Sequence, residues 1–242
     1  MNILQSIKMQ RRTLGILVDP EKLPMEDFPA FAKAMTSKTP YLFDELQLDQ
    51  IIFLQGGSTM ENIDLNNWTA QFKKHTDLKI LIFPGSADQI TDHADGLLFL
   101  NLISGRNPDY LIEQQVNAAA RLKNSKLEII PTAYLLLDGG TQTAVARVSQ
   151  TLPMNQNDRE KVVNTAFAGQ LMGNQLVYLE AGSGAKNPVL VEIVEEVSKA
   201  IAIPVIVGGG LKTIEQISNR FLAGASMVVV GTAIEQNLDW KG

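Results

Sequence analysis

The chain has 242 residues, a formal net charge of −5 and no cysteine. It therefore forms no disulfide bonds or thiolate metal sites, and its two histidines are too few for an ordinary zinc site, so any metal should be a hard cation bound by oxygens. No cluster of basic residues indicates a nucleic-acid partner. We find no apolar run of roughly 18 residues and no secretion signal. We expect one domain, residues 1–242, in the cytoplasm.

Eight short runs rich in Val, Ile and Leu follow one another along the chain. They are residues 14–19, 50–55, 79–83, 96–102, 127–133, 176–181, 204–207 and 227–230. Helices are predicted between them, at residues 25–36, 67–75, 108–123, 157–172, 188–201 and 213–222. Apolar strands that alternate with helices predict a parallel sheet buried on both faces, and eight such units close into a (β/α)8 or TIM barrel. A doubly wound open sheet shows the same alternation, but glycine loops after the last two strands favour the closed barrel.

The segments between the predicted strands differ in length and in local sequence signals, so they predict different kinds of connection. Only residues 84–95 separate the third predicted strand from the fourth, whereas a crossover with its helix needs about a dozen residues or more. We therefore predict a degenerate or missing third helix. Residues 141–156 are interpreted as a long surface connection. Asn187 followed by Pro188 predicts a helix start, because these residue types favour the N-cap and the first helical position.

Three glycine-bearing segments follow the last three predicted strands. They read YLEAGSG at residues 178–184, GGG at 208–210 and GTA at 231–233. Glycine lets the backbone approach an anion closely and expose several N–H groups, and Ser183 and Thr232 add hydroxyl donors. Glycines at strand ends can also simply turn the chain, but three in succession favour a phosphate site.

Glu180 is the candidate general base. Side chains alternate along a strand, so Tyr178 and Glu180 should face the same way, into the barrel mouth beside the glycine loops. The alternative is a glutamate held in an ion pair that closes the barrel.

Asp19 and Ser58 indicate a metal site at the same rim. They follow the first two predicted strands, in the segments VDPEK and QGGST. A partial coordination shell of one carboxylate, one hydroxyl and water suits Mg²⁺. This ion takes its remaining ligands from substrate phosphates. This pattern predicts a diphosphate substrate, although Asp19 before Pro20 can also be a turn residue.

The segments after the fourth and fifth strands offer further candidates. Arg106 lies in the loop NLISGRNP, where it can contact an anion or remain solvated. The fifth strand continues as TAYLLLDGG, which can line an apolar channel or belong to the core.

Several motifs together resemble one family. LGILVDPEK, FLQGGS, LIFPGS, NLISGRNP, IIPTAYLLLDGG, VYLEAGSGA, PVIVGGGLKT and GTAIEQN, from about Leu14 to Asn237, closely resemble the geranylgeranylglyceryl phosphate synthase family, which includes the bacterial PcrB proteins. The resemblance implies a Mg²⁺-dependent prenyltransferase that joins the C3 hydroxyl of sn-glycerol 1-phosphate to C1 of a long polyprenyl diphosphate, geranylgeranyl diphosphate foremost. It also implies a homo-oligomer whose ether-lipid product partitions into membranes.

The resemblance assigns roles by position. Asp19 and Ser58 match the metal positions, and Glu180, with Tyr178 beside it, matches the base. The glycerol phosphate site is matched by Tyr178, Leu179, Glu180, Ala181, Gly182, Ser183, Gly184, Gly209, Gly210, Gly231 and Thr232. Apart from these matches, we expect Asn101, Ser104, Arg106 and Tyr134 on the prenyl diphosphate side.

Two other functions use similar loops. A barrel isomerase or aldolase would act on a sugar phosphate, but a Schiff-base aldolase needs a lysine near the carboxyl end of an inner strand, and no predicted strand offers one. A non-catalytic phosphate-binding module would keep the glycine loops without needing Asp19, Ser58 and Glu180 at one mouth.

Overall fold

The computed structural model describes residues 2–9, 12–57, 60, 63–236 and 240. The strands are β1 (Thr13–Val18), β2 (Gln50–Gln55), β3 (Lys79–Ile82), β4 (Gly96–Asn101), β5 (Glu128–Leu136), β6 (Leu176–Glu180), β7 (Val205–Gly208) and β8 (Met227–Val230). The α-helices are α1 (Ile3–Met9), α2 (Phe28–Leu46), α3 (Leu65–Phe72), α4 (Gln114–Leu122), α5 (Ala144–Ser149), α6 (Arg159–Leu171), α7 (Val191–Ala200), α8 (Ile214–Leu222) and α9 (Thr232–Gln236). None of the helices in these ranges combines the length and apolar character needed to cross a bilayer.

The eight strands form a closed parallel barrel. Each strand pairs with the next, and β8 pairs with β1 through the register of Thr13 with Met227. This arrangement confirms the predicted TIM barrel over the open sheet. Alternation along each strand separates two buried layers, as in β6, where Tyr178 belongs to the cluster inside the barrel and Val177 and Leu179 belong to the cluster under the helices.

The predicted missing helix is confirmed. Every residue from 83 to 95 is described, and none is helical. Side-chain amides hold this loop instead: Gln89 accepts the N–H of Gly85 at 2.7 Å, and Gln114 of α4 accepts the N–H of Ala87 at 2.8 Å. The loop therefore lies against α4 and leaves a gap in the helical layer.

Two predicted connections are wrong. Residues 141–156 are not simply a surface connection, because they include α5, whose N-cap Thr143 accepts the N–H of Ala146. The helix after β6 does not begin at Asn187 and Pro188 but at Val191. The N–H of Asn187 donates to the carbonyl of Gly139, and this long-range contact holds the segment before α7 in a non-helical conformation.

The amino end of the barrel is closed by α1. Its residues Ile3 and Ile7 are 3% and 1% exposed and join the cluster inside the barrel. The carboxylate of Glu128, the first residue of β5, accepts the N–H groups of Ile3 and Leu4 and so satisfies the first turn of α1. The end of the barrel opposite the glycine loops is thus packed and hydrogen-bonded.

Candidate active site

A cavity of about 450 Å³ opens at the carboxyl ends of the strands. One wall consists of the loops after β6, β7 and β8. The opposite wall is mostly apolar and follows the gap left by the missing helix. It includes Phe83, Pro84, Ala87, Ile90, Leu97, Phe99, Tyr110 and Ala118. The cavity therefore joins a polar, glycine-rich end to an apolar groove.

The glycine-rich wall presents peptide N–H groups. Within the described part of the chain, Ser183, Gly184, Gly209 and Gly210 donate no N–H to another backbone group. Gly209 has a φ of 88°, a left-handed conformation that favours glycine. The hydroxyls of Ser183 and Thr232 lie 3.2 Å apart, which links the loops after β6 and β8. This wall can bind a phosphate group.

Glu180 ends β6 and lies deep in the cavity. It is 6% exposed, and its Oε1 accepts the N–H of Gly182 at 2.6 Å. Burial raises the pKa of Glu180 to about 7, although the hydrogen bonds from Gly182 and the Tyr178 hydroxyl act to lower it. A carboxyl group with this pKa can exchange a proton with a substrate near neutral pH.

Gly208 allows β7 to approach Tyr178 and Glu180. A Cβ atom at this position would lie 2.5 Å from the Tyr178 hydroxyl and 2.7 Å from Glu180 Oε2. Any larger side chain at residue 208 would therefore displace the tyrosine or the carboxylate.

Three aromatic rings pack together in the cavity wall. The rings of Phe83 and Tyr178 stack at 5.1 Å, and Tyr134 contacts both, at 6.0 and 5.4 Å. Tyr134 is 4% exposed, and its hydroxyl has no hydrogen-bond partner among the described residues. Burial raises the pKa of Tyr134 well above its usual value, and the Glu180 charge raises it further, so the phenol remains a neutral donor.

Asp19 lies in the cavity wall directly after β1. Its Oδ1 accepts the N–H of Glu21 at 3.1 Å, and its Oδ2 lies 3.3 Å from Lys22 Nζ. No group of three or more His, Asp or Glu side chains able to hold a metal occurs among the described residues. The Asp19 carboxylate fits Mg²⁺, which needs one or two protein carboxylates when substrate phosphates complete its shell. Ser58 lies outside the described residues.

Comparisons with known proteins agree with this geometry. The profile of the PcrB family matches residues 44–241. The chain belongs to the PcrB family. The geranylgeranylglyceryl phosphate synthase of Zunongwangia profunda is 46% identical over 233 residues, which cover 96% of this chain and 95% of that protein. The enzyme of the same name from Pyrococcus furiosus is 37% identical and covers 94% and 87%.

A solved structure of a relative extends the comparison. (S)-3-O-geranylgeranylglyceryl phosphate synthase from Thermoplasma acidophilum, in complex with its substrate sn-glycerol-1-phosphate, superposes with a TM-score of 0.86 at 32% identity. The match covers 100% of this chain and 94% of that one. The resemblance inferred from the sequence motifs is therefore confirmed.

The cavity of this PcrB-family chain contains many of the predicted site residues. Asp19, Tyr134, Tyr178 and Glu180 line it, as do the glycine-loop residues Gly182, Ser183, Gly184, Gly209, Gly210, Gly231 and Thr232. Their chemical roles stay predictions.

Other predicted site residues do not face the cavity. Leu179 and Ala181 are fully buried under the helices, because alternation along β6 turns them away from the cavity. Asn101 and Arg106 donate to nearby backbone carbonyls, and Ser104 accepts the N–H of Leu136. These last three stabilise the segment at and after the end of β4, and their assignment to the prenyl diphosphate side stays a prediction.

Sequence reasoning missed several residues of the cavity. Lys22 and Lys212 are the basic residues that line it within the described chain, and Trp240, which donates to the carbonyl of Lys212, lines it as well. Lys22 stood in the quoted segment VDPEK and could have been singled out there. Val145 and Val148 of α5 also line the cavity, but no helix had been predicted for that segment.

Proposed function

We propose that this chain is a Mg²⁺-dependent prenyltransferase that forms an ether bond between the C3 hydroxyl of sn-glycerol 1-phosphate and C1 of a long polyprenyl diphosphate, geranylgeranyl diphosphate foremost. The observation that carries the proposal is the position of Glu180, a buried carboxyl with a pKa of about 7 between the glycine-rich wall and the apolar groove. The names of its curated relatives support the same activity.

The acceptor occupies the glycine-rich end in this proposal. N–H groups of Gly209, Gly210 and their neighbours bind its phosphate, and the distant hydroxyl reaches Glu180. Glu180 takes the hydroxyl proton while the oxygen forms a bond to C1 of the donor. The bond from C1 to the diphosphate breaks, and the diphosphate leaves with the electron pair. The N–H of Gly182 and the hydroxyl of Tyr178 hold the carboxylate in position.

The donor occupies the apolar end. Its tail follows the groove beside the missing helix, where burial of each CH2 group contributes about 0.8 kcal/mol. Mg²⁺, held by Asp19 and Ser58, supplies charge neutralisation for the leaving diphosphate when bound. Tyr134 offers its unpartnered hydroxyl as a donor, and the rings of Phe83 and Tyr178 keep water from the reacting carbon.

Two alternatives have less support. An aldolase would need a lysine on an inner strand, but the cavity lysines of the described chain, Lys22 and Lys212, both lie on loops. A phosphate-binding module without catalysis gives no reason to bury an ionisable carboxyl beside the phosphate loops, because burial of its charged form is unfavourable.

The direct test is a transfer assay. Purified protein is incubated with Mg²⁺, labelled sn-glycerol 1-phosphate and prenyl diphosphates of different lengths, and the organic phase is analysed for ether product. We expect product with a long prenyl donor and much less from sn-glycerol 3-phosphate, whose mirror-image hydroxyl is misplaced from Glu180. Absence of product with every donor would refute the proposal.

A further inference from the structure

The chain has two tryptophans, and each donates its indole N–H to the carbonyl of a loop at the cavity. Trp240 Nε1 donates to Lys212 at 2.7 Å, and Trp68 Nε1 donates to Leu23 at 2.9 Å. Lys212 follows the glycine loop after β7, whereas Leu23 follows the Asp19 loop after β1. The two bonds are chemically alike but hold loops assigned to different substrates.

Trp240 is 7% exposed and lines the cavity together with Gly209 and Gly210. The loop between β7 and α8 is fixed at its end by Gln216, whose Oε1 accepts the N–H of Lys212 at 2.8 Å. The hydrogen bond from Trp240 Nε1 restrains the carbonyl of Lys212. Lys212 is therefore held through both its amide and its carbonyl.

This restraint matters because the loop is rich in glycine. Gly209 and Gly210 have φ values of 88° and 72°, and glycine has many competing conformations in a free loop. A loop that must present N–H groups to an anion binds more tightly if it is ordered before the ligand arrives. A side-chain donor from outside the loop supplies such order without occupying the phosphate position.

We propose that Trp240 is a positioning residue that orders the loop after β7 for the phosphate group of the acceptor. This inference rests on the proposed function, because it assigns that phosphate to the glycine-rich wall. It predicts a selective role: loss of the indole N–H weakens acceptor binding and leaves donor binding unchanged.

Trp68 provides the matched control. It is 2% exposed, and its ring packs against Phe28 and Phe72 at 5.0 and 4.9 Å. The loop that it contacts is closed by the N–H of Leu23, which donates to the carbonyl of Asp19 at 3.0 Å. Trp68→Phe removes the same kind of hydrogen bond from the loop after β1 instead of the loop after β7.

The test compares Trp240→Phe with Trp68→Phe, because phenylalanine keeps an aromatic ring while removing the N–H donor. For Trp240→Phe we expect the Kd and the KM for sn-glycerol 1-phosphate to rise by roughly fivefold, the usual effect of one hydrogen bond. The KM for the prenyl diphosphate and kcat should change by less than about twofold. Trp68→Phe should leave the Kd for sn-glycerol 1-phosphate unchanged.

The acceptor Kd is measured by calorimetry without donor, so this result does not depend on turnover. An unchanged acceptor Kd in Trp240→Phe, or an equal rise in both KM values, would overturn the role of Trp240 while leaving the proposed function intact. A wild-type protein that binds sn-glycerol 1-phosphate but makes no product would instead contradict the proposed function.

A spectroscopic readout adds a second criterion. The Trp68→Phe variant contains Trp240 as its one tryptophan, so its emission reports on the loop after β7. We expect saturating sn-glycerol 1-phosphate to change that emission. Unchanged emission, or a lower Tm of Trp240→Phe with an unchanged acceptor Kd, would indicate a merely structural tryptophan.

Discussion

The half-buried carboxylate at one end of the barrel and the buried carboxylate at the other have opposite pKa shifts. At the amino end, Asp95 accepts the N–H of Ile80 and contacts the ammonium groups of Lys73 and Lys79 within 3.1 Å. At the carboxyl end, Glu180 is buried and accepts hydrogen bonds from Gly182 and Tyr178. No basic residue of the described chain contributes to the shift of its pKa. The barrel thus carries a stabilising network beside β3 and β4 at one end and an ionisable group at the end of β6 at the other.

The pKa values express this difference. Burial acts to raise the pKa of Asp95, but the Ile80 amide and the two lysines outweigh it, and the pKa is lowered. For Glu180 burial outweighs the two hydrogen bonds, and the pKa rises to about 7. A lowered pKa favours the charged carboxylate in the folded protein, whereas a raised pKa disfavours it. The comparison teaches that deep burial without a charged partner among the described residues, as at Glu180, separates a reactive carboxylate from a structural one that is held by lysines, as at Asp95.

The largest expected effect is on turnover, from Glu180→Gln. The amide cannot accept the hydroxyl proton, so kcat should fall by at least about a hundredfold. Calorimetry should still detect sn-glycerol 1-phosphate, since the glycine-rich wall is unchanged. Glu128→Gln, at the amino end, is the control and should retain kcat. Near-normal turnover in Glu180→Gln would remove this residue from the mechanism.

A substitution at the amino end should lower the stability of the protein without changing substrate binding. Ile7→Ala leaves a cavity inside the barrel and should lower the free energy of unfolding by about 2–4 kcal/mol, measured by urea titration. Both KM values should stay within error of the wild type. A change in the KM values without a change in stability would show that substrate binding also depends on the amino end.

Asp19→Asn tests the carboxylate proposed to bind the metal. We expect the Mg²⁺ concentration for half-maximal activity to rise by at least roughly tenfold, because even partners outside the coordination shell can contribute that much. The control is Asp95→Asn, which also loses contacts with lysine but lies at the opposite end. An unchanged Mg²⁺ requirement in Asp19→Asn would argue against a metal role.

The smallest effect concerns pH, in Tyr178→Phe. The Tyr178 hydroxyl lowers the pKa of Glu180 by donating to its charged form, so removal of this donor should raise that pKa. The wild-type kcat/KM for the acceptor should increase with pH around 7, because the base must be deprotonated. In the variant, the midpoint should move upward by roughly half a unit to one unit. A downward shift would contradict the assigned hydrogen bond.

Much of the barrel could be predicted because its signals are local. Apolar runs mark the strands, and alternation alone places Tyr178 and Glu180 on the cavity side of β6. The same rule, applied to Leu179 and Ala181, would have excluded their side chains from the site. The missing helix followed from the length of the segment 84–95, which is at the lower limit for a crossover that includes a helix.

The hydrogen-bond partners of several side chains and backbone groups could not be predicted from the sequence. The segment before α7 looked like a helix start, but Asn187 donates its N–H to Gly139 on a distant loop. Arg106 looked like an anion ligand, but its guanidinium donates to carbonyls of its own loop. The sequence did not indicate that Trp240 belongs to the site, because its hydrogen-bond partner Lys212 lies 28 positions earlier in the chain.

The attachment of α1 to Glu128 also constrains the order of folding during synthesis. The hydrogen bond from Ile3 to Glu128 spans 125 positions. The first helix therefore leaves the ribosome long before its docking site exists, and must wait until β5 has been translated. Contacts this distant in sequence form late and slowly. α1 can bind Glu128 only after β5 has been translated, and the barrel that it closes is complete only when β8 pairs with β1.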